Sequence, residues 1–259
     1  MSTHKHSKKH EIAFGIDIGG SGIKGAPVDL DKGEFAKERR RIPTPQPATP
    51  DAVAETVAEI VDSFDLDKHV PIGVTFPAVM LHGVAQSAAN VDHSWIGTDA
   101  EKLFSKATGR RVIAVNDADA AGFAEVAYGA AADVKGVVLV VTLGTGIGSA
   151  LVVDGRLVPN TELGHLQIDG HDAESRAAEA VRDREGLDWK QWAERLQRYF
   201  SVVENLFWPD LIVVGGGVSK HHKEFLPLLD LRSPIVPAKL FNAAGIVGAA
   251  ALAAEAHDD

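Results

Sequence analysis

The chain has 259 residues, with 26 Lys and Arg against 36 Asp and Glu, and it contains no cysteine. The missing thiols exclude disulfides, cysteine-ligated zinc and thiol nucleophiles. A formal net charge of −10 argues against a non-specific nucleic-acid or membrane-surface binder, while leaving room for a local basic groove. No apolar run reaches the roughly 18 residues of a spanning helix, and no signal peptide is evident, so the cytoplasm is expected. The basic, histidine-rich residues 1–11 read as a disordered tail outside the fold.

Residues 12–30 read as two strands around a glycine turn, and a third strand is expected over Glu34–Ile42. The four prolines of Pro43–Pro50 mark a loop that leads into a helix. That helix places Val53, Val57, Ile60, Val61 and Phe64 on one face. A buried strand at Pro71–Phe76 follows, then a helix over residues 99–108 and a strand at Arg111–Val115. An alanine-rich helix is expected over Ala118–Tyr128, and an apolar strand over Lys135–Thr142. Another strand and turn follow at Ser149–Arg156. Residues 173–208 read as helical with a break near Gly186-Leu187-Asp188. Asp210–Val214 is a buried strand, and Ala243–Ala256 an apolar helix. Strands alternate with helices throughout, so the class is α/β.

One pattern occurs twice. Ile16–Gly22 and Val141–Gly148 each run from an apolar strand through a small polar residue and a glycine turn into a second strand. The repeat suggests two similar lobes facing each other across a cleft. Glycine turns let backbone N–H groups approach an anion, although many only turn the chain. Two related turns, Gly19-Gly20-Ser21-Gly22 and Thr142 to Gly146 with Gly144 and Thr145, strengthen the phosphate reading, as does Gly215-Gly216-Gly217 after a third strand. Asp17 is either a turn cap or a holder of Mg²⁺ beside a phosphate. Lys24 reads best as a solvated lysine, with donor binding as the alternative. Asn116-Asp117 is either a helix cap or a carboxylate placed where α/β sheets bind ligands. Glu162-Leu163-Gly164-His165 brings a carboxylate and an imidazole together. The acidic and histidine residues from His165 to Glu174 match no standard metal spacing.

With those motifs in this order from Phe14 to Ala250, the chain resembles the ROK family of sugar kinases and regulators, within the actin-like ATPase superfamily. The resemblance implies two α/β lobes of that fold. Their boundaries would be 12–117 and 118–242, with 243–259 packing back towards the first lobe. It implies Asp117 as the general base, and Asn90, Asn116, Glu162, His165 and Glu174 as sugar ligands. The glycine loops, with Asp17 and Lys24, would hold the phosphate donor and Mg²⁺. A cysteine-rich zinc loop follows the histidine in most family kinases; here the short Gln167–Arg176 run replaces it, so no zinc is expected. This compact form is similar to actinobacterial members that phosphorylate glucose with inorganic polyphosphate and, in some cases, ATP. A polyanionic donor wants a basic track, and Lys220-His221-His222-Lys223 is the candidate. Arg39-Arg40-Arg41 and Arg110-Arg111 read instead as solvated charge. A homodimer, with neither nucleic-acid nor membrane partners, completes the expectation. The rivals are an ATP-dependent kinase for mannose or fructose, a sugar-responsive regulator, and a switching ATPase with no sugar site.

Overall fold

A computed structural model describes residues 12–88 and 91–258; the expected tail at residues 1–11 and the expected sugar ligand Asn90 lie outside them. The chain divides into two compact units. The first takes the residues up to Ala120 and those from Gly245 onward, and the second is Ala121–Ala244.

The first unit is built on a hairpin, β1 (Ile12–Gly19) and β2 (Gly22–Asp29). The strand expected over Glu34–Ile42 is two pieces, β3 (Glu34–Phe35) and β4 (Arg40–Ile42), both paired with β2. Lys37–Arg39 between them stand in solvent and leave the ladder, after the Ala36 N–H makes a last bond to the Pro27 carbonyl. Helix α1 (Pro50–Asp62) starts on a proline, which suits its first turn, and buries Val53, Val57, Ile60 and Val61. Next come β5 (Ile72–Phe76), the short pair β6 (Met80–Leu81) and β7 (Val84–Ala85), and helix α2 (Ala100–Thr108), capped by Asp99. Strand β8 (Val112–Asn116) runs straight into α3 (Asp117–Ala127). The sheet order is β3-β2-β1-β5-β8, with β1, β5 and β8 parallel. Phe14, Ile16, Phe76, Trp95 and Phe104 fill the core.

The C-terminal helix Ala244–Asp258 closes this unit. It lies directly on the sheet, because two strand residues have no side chain. A Cβ on Gly15 would stand 1.9 Å from the Ile246 carbonyl oxygen, and one on Gly73 would stand 1.9 Å from that of Ala249.

The second unit repeats the plan. Strands β9 (Val137–Leu143) and β10 (Ile147–Val153) form its hairpin, and β11 (Arg156–Val158) extends it. A two-stranded ribbon, β12 (Gln167–Ile168) and β13 (His171–Asp172), precedes the helices α4 (Glu174–Ala177), α5 (Glu179–Glu185) and α6 (Trp189–Phe207). The expected break is real. Gly186 at φ 64° ends α5, and Asp188 with Gln191 forms a capping box that starts α6. A further break falls at Ala178, whose backbone is extended. Strands β14 (Leu211–Gly215) and β15 (Ile235–Pro237) lie parallel to β9, giving the order β11-β10-β9-β14-β15. In each sheet, therefore, an antiparallel hairpin leads into two parallel strands. Helix α6 buries Trp192, Leu196, Phe200 and Val203 at helical spacing against Leu139, Val141 and Val214. Among the described residues, no helix is long and apolar enough to cross a membrane.

Candidate active site

In the first unit the candidate side chains Asp17, Thr75 and Asn116 lie towards the carboxyl ends of three adjacent parallel strands, where open α/β sheets bind ligands. The register sets Asp17 of β1 beside Thr75 of β5, and Phe76 of β5 beside Asn116 of β8. Thr75 is fully buried, and its hydroxyl donates to Asp17 Oδ1 at 3.1 Å. Lys24, opposite Asp17 across the hairpin, donates from Nζ to Asp17 Oδ2 at 3.1 Å. The solvated role preferred for Lys24 is thereby corrected: its side chain is 24% exposed and ion-paired. Asp17 lies within β1, so it is not a turn cap.

The turn Gly19-Gly20-Ser21-Gly22 follows. The Thr44 hydroxyl donates to the Gly19 carbonyl, and Arg41 Nη2 donates to that of Ser21 at 2.6 Å. A Cβ on Gly22 would sit 2.6 Å from Arg41 Nε, so the guanidinium packs closely on the turn. Arg41 is exposed, as expected of solvated charge, and its guanidinium also contacts the turn. A cavity of about 270 Å³ opens beside the turn, walled by Ile18, Gly19, Gly20, Phe76, Val91 and Trp95. That lies just under the roughly 300–1,000 Å³ of typical ligand pockets and suits a small ligand.

Of the two roles that the sequence left open, the helix cap is the one the bonds describe, and Asp117 Oδ1 shares in it by accepting the Ala118 N–H at 2.8 Å. Asn116 is buried, and its Oδ1 accepts the N–H groups of Ala118 at 2.8 Å and Asp119 at 3.0 Å. Its Nδ2 donates to the Ala78 carbonyl at 3.0 Å. Asn116 therefore caps α3. Asp117, the first residue of α3, is exposed.

In the second unit, β9 and β10 meet at Thr142, Gly144, Thr145 and Gly146. The Gly144 N–H bonds to the Gly146 carbonyl at 3.0 Å, and the Gly144 carbonyl accepts the N–H of Ala180 at 3.0 Å. Glu174 braces this turn. Its Oε2 accepts the Ile147 N–H at 3.1 Å, and a Cβ on Gly146 would collide with the same oxygen. The segment Thr161–His165 is anchored along β10 by buried Ser149, whose Oγ donates to the Thr161 carbonyl and accepts the Leu163 N–H. Gly164 fits only because it lacks a Cβ, which would come 2.2 Å from the Ile147 carbonyl oxygen. Glu162 and His165 are left exposed at the ends of this turn. His165 Nδ1 bonds to Asp172 Oδ2 at 3.0 Å. That bond raises the imidazole pKa against the opposing effect of desolvation, and Glu174, Asp172 and Glu162 add charge in the same direction. One donor or acceptor atom each of His165, Asp172 and Glu174 lies within 4.8 Å of the others.

Strand β14 ends at Gly215, and Gly216 turns the chain at φ 84°, where a Cβ would lie 2.1 Å from the Leu143 carbonyl oxygen. Lys220 and Lys223 follow, both exposed. Of the two histidines between them, His221 packs on Trp189 with ring centroids 5.6 Å apart, and His222 Nδ1 donates to the Ser219 carbonyl at 2.9 Å. Glu179 is close by. Burial raises its pKa and Asp183 adds to the rise, while Lys220, Arg182 and His221 oppose it.

Thr75, which bonds to Asp17, was not singled out in the sequence, and neither the contact of Arg41 with the first turn nor that of Asp172 with His165 was foreseen. The polar Thr75 in an otherwise apolar buried strand was the available signal.

Residues 13–186 match the ROK family. The chain is 51% identical over 238 residues to the polyphosphate glucokinase of Mycobacterium tuberculosis (strain CDC 1551 / Oshkosh), covering 92% of this chain and 89% of the relative. It superposes on the crystal structure of the inorganic polyphosphate/ATP-glucomannokinase from Arthrobacter sp. strain KM with a TM-score of 0.89 at 58% identity, covering 96% of this chain and 100% of the other. A ROK family glucokinase from Streptomyces griseus, solved with glucose and AMPPNP, gives a TM-score of 0.77 at 22% identity over 94% and 99% of the two chains, a likeness of fold alone. The α/β architecture is the actin-like ATPase fold of sugar kinases. With the phosphate-type turn present in both units and the kinship extending over nearly the whole chain, this protein belongs to the ROK family.

Proposed function

We propose that this chain is a glucokinase that moves the terminal phosphoryl group of inorganic polyphosphate, and of ATP, to the 6-hydroxyl of glucose. The observation that carries the chemistry is the strand-end array of the first unit, where Asp17, Thr75, Asn116 and Asp117 share one sheet edge beside a glycine turn. The kinship with polyphosphate-using enzymes supports the donor.

Asp117 is the general base. As the 6-oxygen attacks the terminal phosphorus, the bridging P–O bond breaks, the shortened polyphosphate or ADP leaves with the bond electrons, and the hydroxyl proton passes to Asp117. We assign Asn90, Asn116, Glu162, His165 and Glu174 to sugar binding; Glu174 also braces the second turn through Ile147. Such polar contacts discriminate, because an analogue lacking a hydroxyl leaves a buried partner unpaired. We assign the glycine turn of each unit, and Lys24, to donor binding, because glycine turns offer backbone N–H groups to phosphate.

A divalent metal accompanies phosphoryl transfer by kinases in general, and we assign Mg²⁺ to Asp17. The site fits. Asp17 offers a carboxylate already matched to a cation, Lys24, and its neighbour Thr75 offers only another oxygen. When bound, Mg²⁺ neutralises charge on the transferring phosphate. We assign no zinc, since no thiolate exists and Glu174 and Asp172 are engaged by Ile147 and His165. The proposal includes a cytoplasmic homodimer. Exposed Leu206 and Trp208, at the end of α6, are apolar surface of the kind that a subunit contact covers.

The test is glucose 6-phosphate formation with polyphosphate alone and with ATP alone, with EDTA and after Mg²⁺ is restored. Both donors should work, EDTA should abolish turnover, and Mg²⁺ should bring it back. Product from neither donor overturns the reading, and product from ATP only overturns its polyphosphate part. Mannose belongs in the same assay as a second acceptor, because the Arthrobacter relative is a glucomannokinase.

A further inference from the structure

We infer that Asp172 is a positioning residue for His165, holding the imidazole by Nδ1 so that Nε2 is the nitrogen presented to the sugar. The inference rests on the proposed role of His165 as a sugar ligand.

His165 has little else to hold it. It sits on a turn, its side chain is 56% exposed, and core packing does not set its ring. An exposed histidine samples several rotamers and both neutral tautomers, and only some of these present a given nitrogen to a ligand. Asp172 Oδ2 is the recorded partner of the ring, 3.0 Å from Nδ1, and among the described residues none takes Nε2. An ionised carboxylate only accepts, so Nδ1 must carry the proton. In the neutral ring Nε2 then accepts from a sugar hydroxyl; in the protonated ring it donates. A hydroxyl can answer either way, so the contact survives titration while its direction changes.

The backbone that carries the carboxylate is held in place. Asp172 ends the β12–β13 ribbon, whose turn residues Asp169 and Gly170 both have positive φ, the conformation of a tight hairpin. Arg198 on α6 grips Asp169 through Nε and Nη2, both at 2.8 Å. The Ala173 N–H bonds to the Leu166 carbonyl at 2.9 Å, and the Ser175 hydroxyl donates to the Asp172 carbonyl at 2.6 Å. The ribbon thus pins the aspartate from both sides. Asp172, Glu174 and Glu162 are the charged groups acting on the ring.

The experiment compares Asp172→Ala, Asp172→Asn and His165→Ala in the full-length enzyme. Steady-state kinetics are combined with ¹⁵N-histidine spectra, which report tautomer and titration. Asp172→Ala should raise the glucose KM about tenfold, of the order expected for a lost charge-assisted bond, with little change in kcat or in the polyphosphate KM. Its His165 signals should show mixed tautomers and a lowered pKa. Asp172→Asn keeps an acceptor without the charge, so the Nδ1–H tautomer and most of the glucose affinity should return while the pKa stays lowered. An unchanged tautomer and glucose KM in Asp172→Ala, with His165→Ala still raising the KM, overturns this inference and leaves the sugar-ligand reading standing. No effect of His165→Ala removes that reading instead. Stoichiometric zinc in the wild type that disappears in Asp172→Ala makes Asp172 a metal ligand and also overturns the inference.

Discussion

Thr75 stands beside Asp17 in the parallel register of β1 and β5, and its buried hydroxyl donates to Asp17 Oδ1 at 3.1 Å. With Lys24 on the other oxygen, the carboxylate is held from two neighbouring strands. A hydrogen bond to a charged group is worth about 1.5–3 kcal/mol, or about 10–100-fold in rate if that positioning is lost in the transition state. Thr75→Val preserves shape and should lower kcat within that range, with a fall of a few degrees in thermal midpoint from the same lost bond. Thr75→Ser should restore most of the rate. Full activity in the valine variant would show that Asp17 needs no such support.

Asp117→Asn should fold and bind glucose normally, because the helix cap is supplied by Asn116. Loss of a positioned base costs roughly 10²–10⁴-fold in kcat. Retention of more than about a tenth of wild-type turnover, well outside that range, would remove Asp117 as the base.

Lys220 is exposed on the turn Gly217–His221, and Lys223 is exposed on the short helix His222–Phe225 that follows. Changing both to Glu should raise the apparent KM for long-chain polyphosphate far more than that for ATP. Added salt should weaken polyphosphate use more steeply in the wild type than in the double variant, since polyanion binding releases counterions. Glu179 beside Lys220 already subtracts from the positive potential, so Glu179→Gln should shift polyphosphate KM the opposite way. Kinetics with both donors at two ionic strengths decide the matter, and equal losses with both would mark the run as a solvated loop.

Gly216→Ala should destabilise the protein. The position has φ 84°, and the new methyl would meet the Leu143 carbonyl oxygen at 2.1 Å. Left-handed backbone at a non-glycine residue costs about 1–3 kcal/mol, and the collision adds to that. Gly217→Ala is the control, because its Cβ would first meet Glu179 Oε2 at 3.8 Å. Chemical denaturation of the two variants should separate them clearly.

The His165–Asp172 bond makes stability depend on pH in a stated direction. The folded pKa of His165 is raised above its ordinary value of 6.5. Its contribution is therefore fully present below that value and is lost as pH rises through the folded pKa. The difference in denaturation midpoint between wild type and Asp172→Ala should be larger at about pH 6 than at about pH 9. A difference that grows with pH contradicts the pairing.

Both glycine hairpins were legible from composition, because long apolar strands such as Val137–Leu143 sit beside turns that only glycine makes easily. The helices were legible from their periodicity and caps. Thr75 was not: a strand buried on both faces carries no alternation, and only register shows which neighbour its hydroxyl reaches. Arg41 looked like solvated charge because its partner, the Ser21 carbonyl, is brought near by the pairing of β4 with β2. The β12–β13 ribbon was hidden by its length, since two residues per strand leave no pattern to read. The capping alternative for Asn116 was legible from its place between a strand and a helix, and its bonds to the Ala118 and Asp119 N–H groups bear it out.

The helix Ala244–Asp258 belongs to the first unit, although the whole second unit precedes it in the chain. A ribosome therefore finishes Ala121–Ala244 before it makes the helix that covers Gly15 and Gly73. Domains ordinarily complete themselves from the N-terminus during synthesis. Here that order is inverted: β1 and β5 emerge early, wait with a bare face, and are covered only when the last residues appear. Nascent chains stalled before Ala244 should carry a protease-resistant second unit and an unfinished first one, which makes the early strands the natural client surface for a chaperone.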